Sequence, residues 1–130
     1  MSEDTADLDP LAQFDAPGGL VADREVVGHA VVVRVRGEVD MSNAALLDQQ
    51  LAAARAVVVP PAPVVLDLTG VSFLPSTGLA VLVEHHHLCV EHGSPLRVVA
   101  TDRRVLRPIQ ITGLDALLTI TATVRDALVP

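Results

Sequence analysis

Residues 64–93 restrict the fold more than any other part of the chain, because a short apolar run there leads into a longer segment with helical spacing. The run at residues 64–68 is long enough for a buried strand. From Gly78 onward the apolar residues recur at helical intervals, and Gly93 is suited to the left-handed conformation that ends many helices. A buried strand that passes through a short loop into an amphipathic helix is typical of α/β proteins.

The rest of the chain continues this alternation. Strands are predicted at residues 20–27 and 30–36, with Gly28 and His29 as the turn between them, and again at 96–100 and 116–121. A first helix begins at Asp40 or Ser42, and later helices are predicted at 77–92, 102–111 and 123–128. Residues 69–75 are expected to be a loop anchored by Val71, Phe73 and Leu74. The order predicts an α/β domain with a mixed, mostly parallel sheet of four to five strands and helices packed against it.

Charge divides the chain into two parts. Residues 1–15 contain five acidic side chains and no basic one, which leaves the body near neutrality although the net charge is −7. We expect residues 1–19 to be an acidic, disordered tail, with a partner-binding arm as the alternative, and residues 20–130 to form the domain. The nine basic residues are all arginines and form no stripe, so a nucleic-acid partner is not expected.

Membrane, disulfide and secretion signals are weak in this sequence. The longest uncharged apolar run is at residues 56–66, which is too short for a membrane segment, and the acidic start does not resemble a signal peptide. The single cysteine, Cys89, allows no internal disulfide and is interpreted as a small core residue. These features predict a cytoplasmic protein.

The three consecutive histidines at residues 85–87 do not predict a metal site. Neighbouring helical residues diverge by 100°, so the three side chains cannot converge on one ion, and no metal or other cofactor is expected. His86 is predicted on the buried face of its helix. The residues assigned to that face are Leu79, Leu82, Val83, His86, Cys89 and Val90.

Ser76 stands where the second helix is expected to begin, and its hydroxyl admits two interpretations. As an N-cap it would accept a hydrogen bond from the first turn of the helix. As a phosphate acceptor it would place the phosphate beside free N–H groups and the positive end of the helix dipole. The local sequence favours the cap.

Three motifs in order carry a resemblance to a known family. Residues 37–40 read GEVD, residues 66–79 read LDLTGVSFLPSTGL, and residues 111–114 read ITGL. Together they resemble STAS domains, specifically the bacterial anti-sigma factor antagonists. The resemblance extends over residues 21–128 and implies the STAS fold.

The resemblance implies a regulatory binding protein rather than an enzyme. An unphosphorylated antagonist binds an anti-sigma factor that is also a GHKL-type serine kinase, and so releases a sigma factor. Phosphorylation of the serine matching Ser76 ends binding, and a PP2C-type phosphatase restores it; Thr77 is the neighbouring second candidate. The implied contact residues are Asp40, Pro75, Ser76, Thr77, Gly78 and Leu79.

Pro75 stands where the family usually has aspartate. Proline provides no carboxylate and fixes its own φ, which stiffens the approach to Ser76. The alternative is therefore a STAS scaffold that is not phosphorylated, or an accessory subunit of a transport ATPase. A serine hydrolase is not indicated, because the chain has no Gly-x-Ser-x-Gly elbow and the histidines lie two to three turns along the helix.

Overall fold

The strands lie in the sheet in the order in which they occur in the chain. The computed structural model describes residues 13–16 and 19–130. Within them β1 pairs with β2 and β2 with β3 antiparallel, whereas β3 to β6 pair parallel. The six strands are β1 (Gln13–Ala16), β2 (Leu20–Val27), β3 (Ala30–Glu38), β4 (Val64–Phe73), β5 (Leu96–Val99) and β6 (Thr119–Thr121).

The predicted α/β class with a mostly parallel sheet is confirmed. Strand β1 is an addition that the sequence did not predict, since it falls within the expected tail. The other residues of that tail, apart from Gly19, lie outside the described residues, and its boundary stays a prediction.

Helices connect the parallel strands. One helix lies between β3 and β4, one between β4 and β5, and one between β5 and β6, and a short helix follows β6. None of the helices within the described ranges is long and apolar enough to cross a bilayer. The helices are α1 (Ala44–Val57), α2 (Ser76–His92), α3 (Arg103–Ile111) and α4 (Val124–Leu128).

The two faces of the sheet are covered unequally. Side chains alternate along β3, so that Val31, Val33 and Val35 face the main core with α1, α2 and α3. Val32 faces the opposite side, where a smaller cluster includes Ala127 of α4. The larger core is aliphatic, and it fixes the position of the helix that begins at Ser76.

Strand β4 is longer than predicted, because residues 69–73 continue it instead of forming a loop. Gly37 pairs with Val71 and Glu38 with Phe73, so a bulge places one extra residue in β4. Val71 is buried as expected, but Phe73 is 52% exposed. The prediction that Phe73 anchors this segment to the core is therefore wrong. Because the bulge falls between Val71 and Phe73, the two side chains do not face the same side of the strand.

The buried face of α2 is rotated from the predicted one. His85 is 1% exposed, whereas His86 is only partly buried and Val90 is 62% exposed. Cys89 is buried as expected, and burial raises the pKa of its thiol. The predicted left-handed residue at the end of α2 is confirmed, with Gly93 at φ 88°.

His85 is buried because α1 provides partners for both nitrogens of its ring. Arg55 lies 2.9 Å from Nδ1, and Asp48 lies 2.6 Å from Nε2. Since a guanidinium only donates, Nδ1 accepts and Nε2 carries the hydrogen that is donated to Asp48. The ring thus joins two opposite charges of α1 to α2, a link that a face assigned from α2 alone could not reveal.

We expect His85→Ala to lower the free energy of unfolding by about 2–4 kcal/mol, because it leaves a cavity between α1 and α2 and unpairs two polar groups. Urea denaturation followed by circular dichroism measures this loss. His87→Ala changes an exposed residue two positions along the same helix and should stay within about 0.5 kcal/mol of wild type. Equal losses in the two variants would contradict a structural role for the His85 bridge.

Candidate functional site

The candidate site lies where β3 and β4 end side by side. Both strands run in the same direction, and the Val39 N–H donates to the carbonyl of Phe73 over 3.2 Å. Asp40 follows β3, and Pro75 and Ser76 follow β4. Parallel pairing therefore brings the predicted residues Asp40 and Ser76, thirty-six positions apart in the chain, to one edge of the sheet.

Asp40 is fixed in place by the turn that precedes α1. One oxygen of its carboxylate accepts from Ser42 N at 2.8 Å, from Ser42 Oγ at 2.6 Å and from Asn43 N at 3.1 Å. These bonds, led by the one from the Ser42 hydroxyl, lower the pKa of Asp40, while desolvation partly opposes them. The carboxylate is thus a fixed negative charge on the surface.

Asn43 is a structural residue of the site that the sequence prediction missed. Its side chain is buried, its Nδ2 donates to the carbonyl of Glu38 over 2.9 Å, and its Oδ1 accepts from Asp40 N over 2.8 Å. Helix α1 begins at Ala44, so Asn43, rather than Asp40 or Ser42, occupies the N-cap position. Asparagine directly before an alanine- and leucine-rich segment is the signal that could have identified it.

Helix α2 begins at Ser76 itself, and this corrects the interpretation of Ser76 as the cap. Pro75 occupies the N-cap position with φ −78° and ψ 177°, and its carbonyl accepts from Leu79 N. Proline has a preset φ and no N–H, so it suits the entry to a helix. No side chain caps this end, and the first N–H groups of α2 therefore lack a helical acceptor.

The two candidate hydroxyls differ in accessibility. Ser76 is exposed, as the first residue of a helix whose side chain points away from the core. The Oγ1 atom of Thr77 is buried, and it has no hydrogen-bond partner among the described residues. A large enzyme or partner can thus reach the Ser76 hydroxyl without local unfolding, whereas it cannot reach that of Thr77.

Gly78 and Leu79, which were predicted as contact residues, are buried. A Cβ atom added at Gly78 would lie 2.6 Å from Leu74 Cδ1 and 3.2 Å from Val39 Cγ1. Leu79 is 8% exposed and belongs to the main core. These two residues hold the start of α2 against the ends of β3 and β4 and contribute little surface of their own.

Two large apolar side chains at this edge are exposed. Met41, next to Asp40, is 86% exposed, and Phe73, three residues before Ser76, is 52% exposed. Neither was predicted as a site residue. Exposed apolar side chains beside a polar centre are typical of surfaces that bind another protein.

Helix α3 borders the same edge. Asp102 caps it by accepting from Arg104 N at 2.8 Å, and the Arg104 side chain pairs with the same carboxylate at 2.6 Å. These hydrogen bonds lower the pKa of Asp102 to about 2. The pKa of Arg104 is raised, mainly by Asp102 and to a smaller degree by Glu38, the strand partner of Phe73.

Among the described residues, Asp48, Glu84 and His85 form a group that could hold a metal ion, with ligand atoms within 4.8 Å of one another. The hydrogen bond from Arg55 to His85 Nδ1 requires the hydrogen to be on Nε2, the atom that faces Asp48. A metal ion at Nε2 would have to displace that hydrogen. The neutral ring would then carry its hydrogen on Nδ1, where it would face the N–H of Arg55. The arrangement therefore suits a hydrogen-bonded bridge between α1 and α2.

Comparison with known proteins assigns the family. The sequence matches the STAS domain over residues 22–127, and the chain belongs to the STAS domain family. The anti-sigma-F factor antagonist RsfA of Mycobacterium tuberculosis is 32% identical over 99 residues, which are 76% of this chain and 77% of RsfA. RsfB, an anti-sigma-F factor antagonist of the same organism, is 34% identical over 97 residues, or 75% of this chain and 77% of RsfB.

A solved structure supports the same assignment. The crystal structure of an anti-sigma factor antagonist from Mycobacterium paratuberculosis is 35% identical and superposes with a TM-score of 0.78. The match covers 88% of this chain and 96% of that one. The resemblance stated from the three sequence motifs is confirmed.

We expect Gly78→Ala to destabilise the domain by about 1–3 kcal/mol, because the added methyl group would overlap Leu74 and press on Val39. A loss of stability would be informative, because alanine inside a helix is otherwise about 1 kcal/mol more favourable than glycine. Ser76→Ala, an exposed change in the same turn, serves as the control and should be nearly neutral. Chemical denaturation checks both variants, and a Gly78→Ala protein more stable than wild type would refute the close packing.

The Asp102 cap predicts a pH dependence of stability. The pKa of this carboxyl is about 2 in the folded chain and 3.8 without the folded surroundings, so its contribution is complete above about pH 5 and is lost as the pH falls toward 2. Asp102→Asn retains a capping oxygen without the charge. We expect the urea midpoints of wild type and Asp102→Asn to differ at pH 5 and to converge on acidification toward pH 2. A difference that does not change with pH would contradict the role of the charge.

Proposed function

We propose that the chain is a cytoplasmic anti-sigma factor antagonist, which binds an anti-sigma factor through the edge formed by the Asp40 turn and the start of α2. The observation that carries the proposal is the juxtaposition of Asp40 and Ser76 on one rigid edge, flanked by exposed Met41 and Phe73. The relatives RsfA and RsfB, named as anti-sigma-F factor antagonists, support the class of partner.

Ser76 is the phosphate acceptor in this proposal. Its hydroxyl is exposed at the first position of a 17-residue helix, beside N–H groups that no side chain caps. A phosphate there is stabilised by those donors and by the helix dipole. Thr77 is the weaker candidate, since its Oγ1 is buried and phosphorylation would require the start of α2 to open.

Phosphorylation acts on the complex rather than on the fold. The phosphate adds up to about two negative charges to an edge that already carries the ionised Asp40 carboxylate. A partner that docks over this edge would have to bury or neutralise them, which weakens binding. The kinase is an anti-sigma factor of the GHKL type, and a PP2C-type phosphatase restores the binding form.

Pro75 keeps a second function open. The residue offers no carboxylate to orient the Ser76 hydroxyl or a kinase group, although its extended backbone directs the chain into α2 with Ser76 outward. A STAS scaffold or an accessory subunit of a transport ATPase would use the same surface without phosphorylation. Catalysis by Ser76 with His85 is disfavoured, because the two residues are nine positions apart and therefore roughly 13.5 Å apart along the axis of α2.

We expect wild type, incubated with a kinase-type anti-sigma factor and ATP, to gain one phosphate by intact-mass measurement, while Ser76→Ala gains none. Thr77→Val keeps the shape of the threonine side chain but removes its buried hydroxyl, and this variant should be phosphorylated like wild type. In a binding assay, Ser76→Ala should bind the anti-sigma factor like wild type, and Ser76→Glu at least about tenfold more weakly.

Two outcomes would contradict the proposal. Equal phosphate on wild type and Ser76→Ala would place the acceptor elsewhere. Stable co-purification with a transport ATPase, together with no binding to any anti-sigma factor of the source organism, would favour the scaffold function.

A further inference from the structure

We infer that a groove between β4 and α3 is a second contact region for the partner, and that it receives a partner segment in which acidic residues flank an apolar side chain. This inference rests on the proposed function, since the partner is taken to be the anti-sigma factor bound at the Ser76 edge. The groove has a volume of about 510 Å³ and is lined by Phe73, Arg104, Arg107, Pro108, Ile111 and Thr112.

The floor of the groove is apolar and accessible. Ile111 is 71% exposed at the end of α3, and Phe73 faces it from the end of β4. The chain has only two phenylalanines and no tryptophan or tyrosine, so Phe73 is one of its few large rings. An apolar side chain of a partner would bury these exposed side chains, and this burial would contribute favourable free energy to binding.

The rim of the groove is positive although the chain as a whole is acidic. Helix α3 carries Arg103, Arg104 and Arg107 within nine residues, whereas the net charge of the chain is −7. Arg104 is paired with Asp102, but in the described part of the chain neither Arg103 nor Arg107 makes an ion pair. Arg103 does not line this groove, but it lines a smaller one of about 300 Å³ that shares Arg107 and Ile111 with it. Guanidinium groups with no internal partner fit carboxylates of a partner.

The groove is continuous with the Ser76 edge. Phe73 lines the groove with its side chain, while its backbone carbonyl accepts the Val39 N–H that joins β3 to β4 at that edge. A partner seated on Asp40 and Ser76 therefore reaches the groove by extending along the end of β4. An acidic segment is the occupant that the exposed arginines favour, and an apolar side chain within it would fill the space between Phe73 and Ile111.

The test compares matched surface variants in binding to one anti-sigma factor, chosen because it binds wild type and fails to bind Ser76→Glu. We expect the double variant Arg103→Glu, Arg107→Glu to bind about tenfold more weakly, mostly through slower association, and to lose much of the salt dependence of binding. The control is Arg125→Glu, which makes the same change of charge once, at an exposed position on α4. This variant should bind within twofold of wild type.

The apolar floor has its own variant and control. Ile111→Ser should weaken binding about tenfold, whereas Val90→Ser, which replaces a side chain 62% exposed on α2, should leave it unchanged. Circular dichroism of each variant checks that the fold is intact. All of these positions are exposed, so the variants are expected to fold.

The outcomes separate the groove from the proposed function. If no anti-sigma factor binds wild type, the proposed function fails and this inference fails with it. If wild type binds, Ser76→Glu does not, and the α3 variants bind as tightly as wild type, then the groove alone is excluded. If Ile111→Ser instead dissociates a dimer of the free chain in analytical ultracentrifugation, a second copy occupies the groove, which also overturns the inference.

Discussion

The parallel pairing of β3 with β4 is the constraint on which the candidate site depends. Because the two strands run in the same direction, both end at one edge of the sheet, and the hydrogen bond from Val39 to Phe73 is their last backbone contact described there. Asp40 and Ser76 follow within a few residues. With the antiparallel pairing that joins β2 to β3, the residues that follow the two strands would instead lie at opposite ends of the sheet.

What depends on local sequence could be predicted well. Strand β2 has its predicted limits, the turn at Gly28 is present, and Gly93 ends α2 in the left-handed conformation. Each follows from residues adjacent in the chain: β-branched side chains in strands, and glycine where φ is positive. The α/β order likewise follows from periodicity, since buried strands and amphipathic helices differ in it.

Features that depend on contacts with another helix or strand could not be predicted from the sequence of one element alone. The bulge that exposes Phe73 exists only because β4 pairs with β3, and the rotation that buries His85 follows from Asp48 and Arg55 on α1. Of the site, Asp40 and Ser76 were predicted through the family resemblance. The supporting Asn43 escaped prediction because its partners are backbone groups: the Glu38 carbonyl at the end of β3 and the N–H of Asp40 in the turn after it. Local pattern alone favoured the cap role for Ser76, and the structure gives that position to Pro75.

The placement of Pro75 also explains how this edge could change its binding without changing its shape. With proline at the N-cap position, the Ser76 hydroxyl has no described hydrogen bond inside the protein, so its modification breaks no contact that holds α2 in place. Gly78 and Leu79 beneath it are buried against β3 and β4 and keep the start of the helix fixed. In the proposed function, a phosphate on Ser76 would remain hydrated in the free chain but would lose water once a partner covered it between Met41 and Phe73. The cost of modification would then fall on the complex, which is the physical requirement for a binding surface controlled by phosphate.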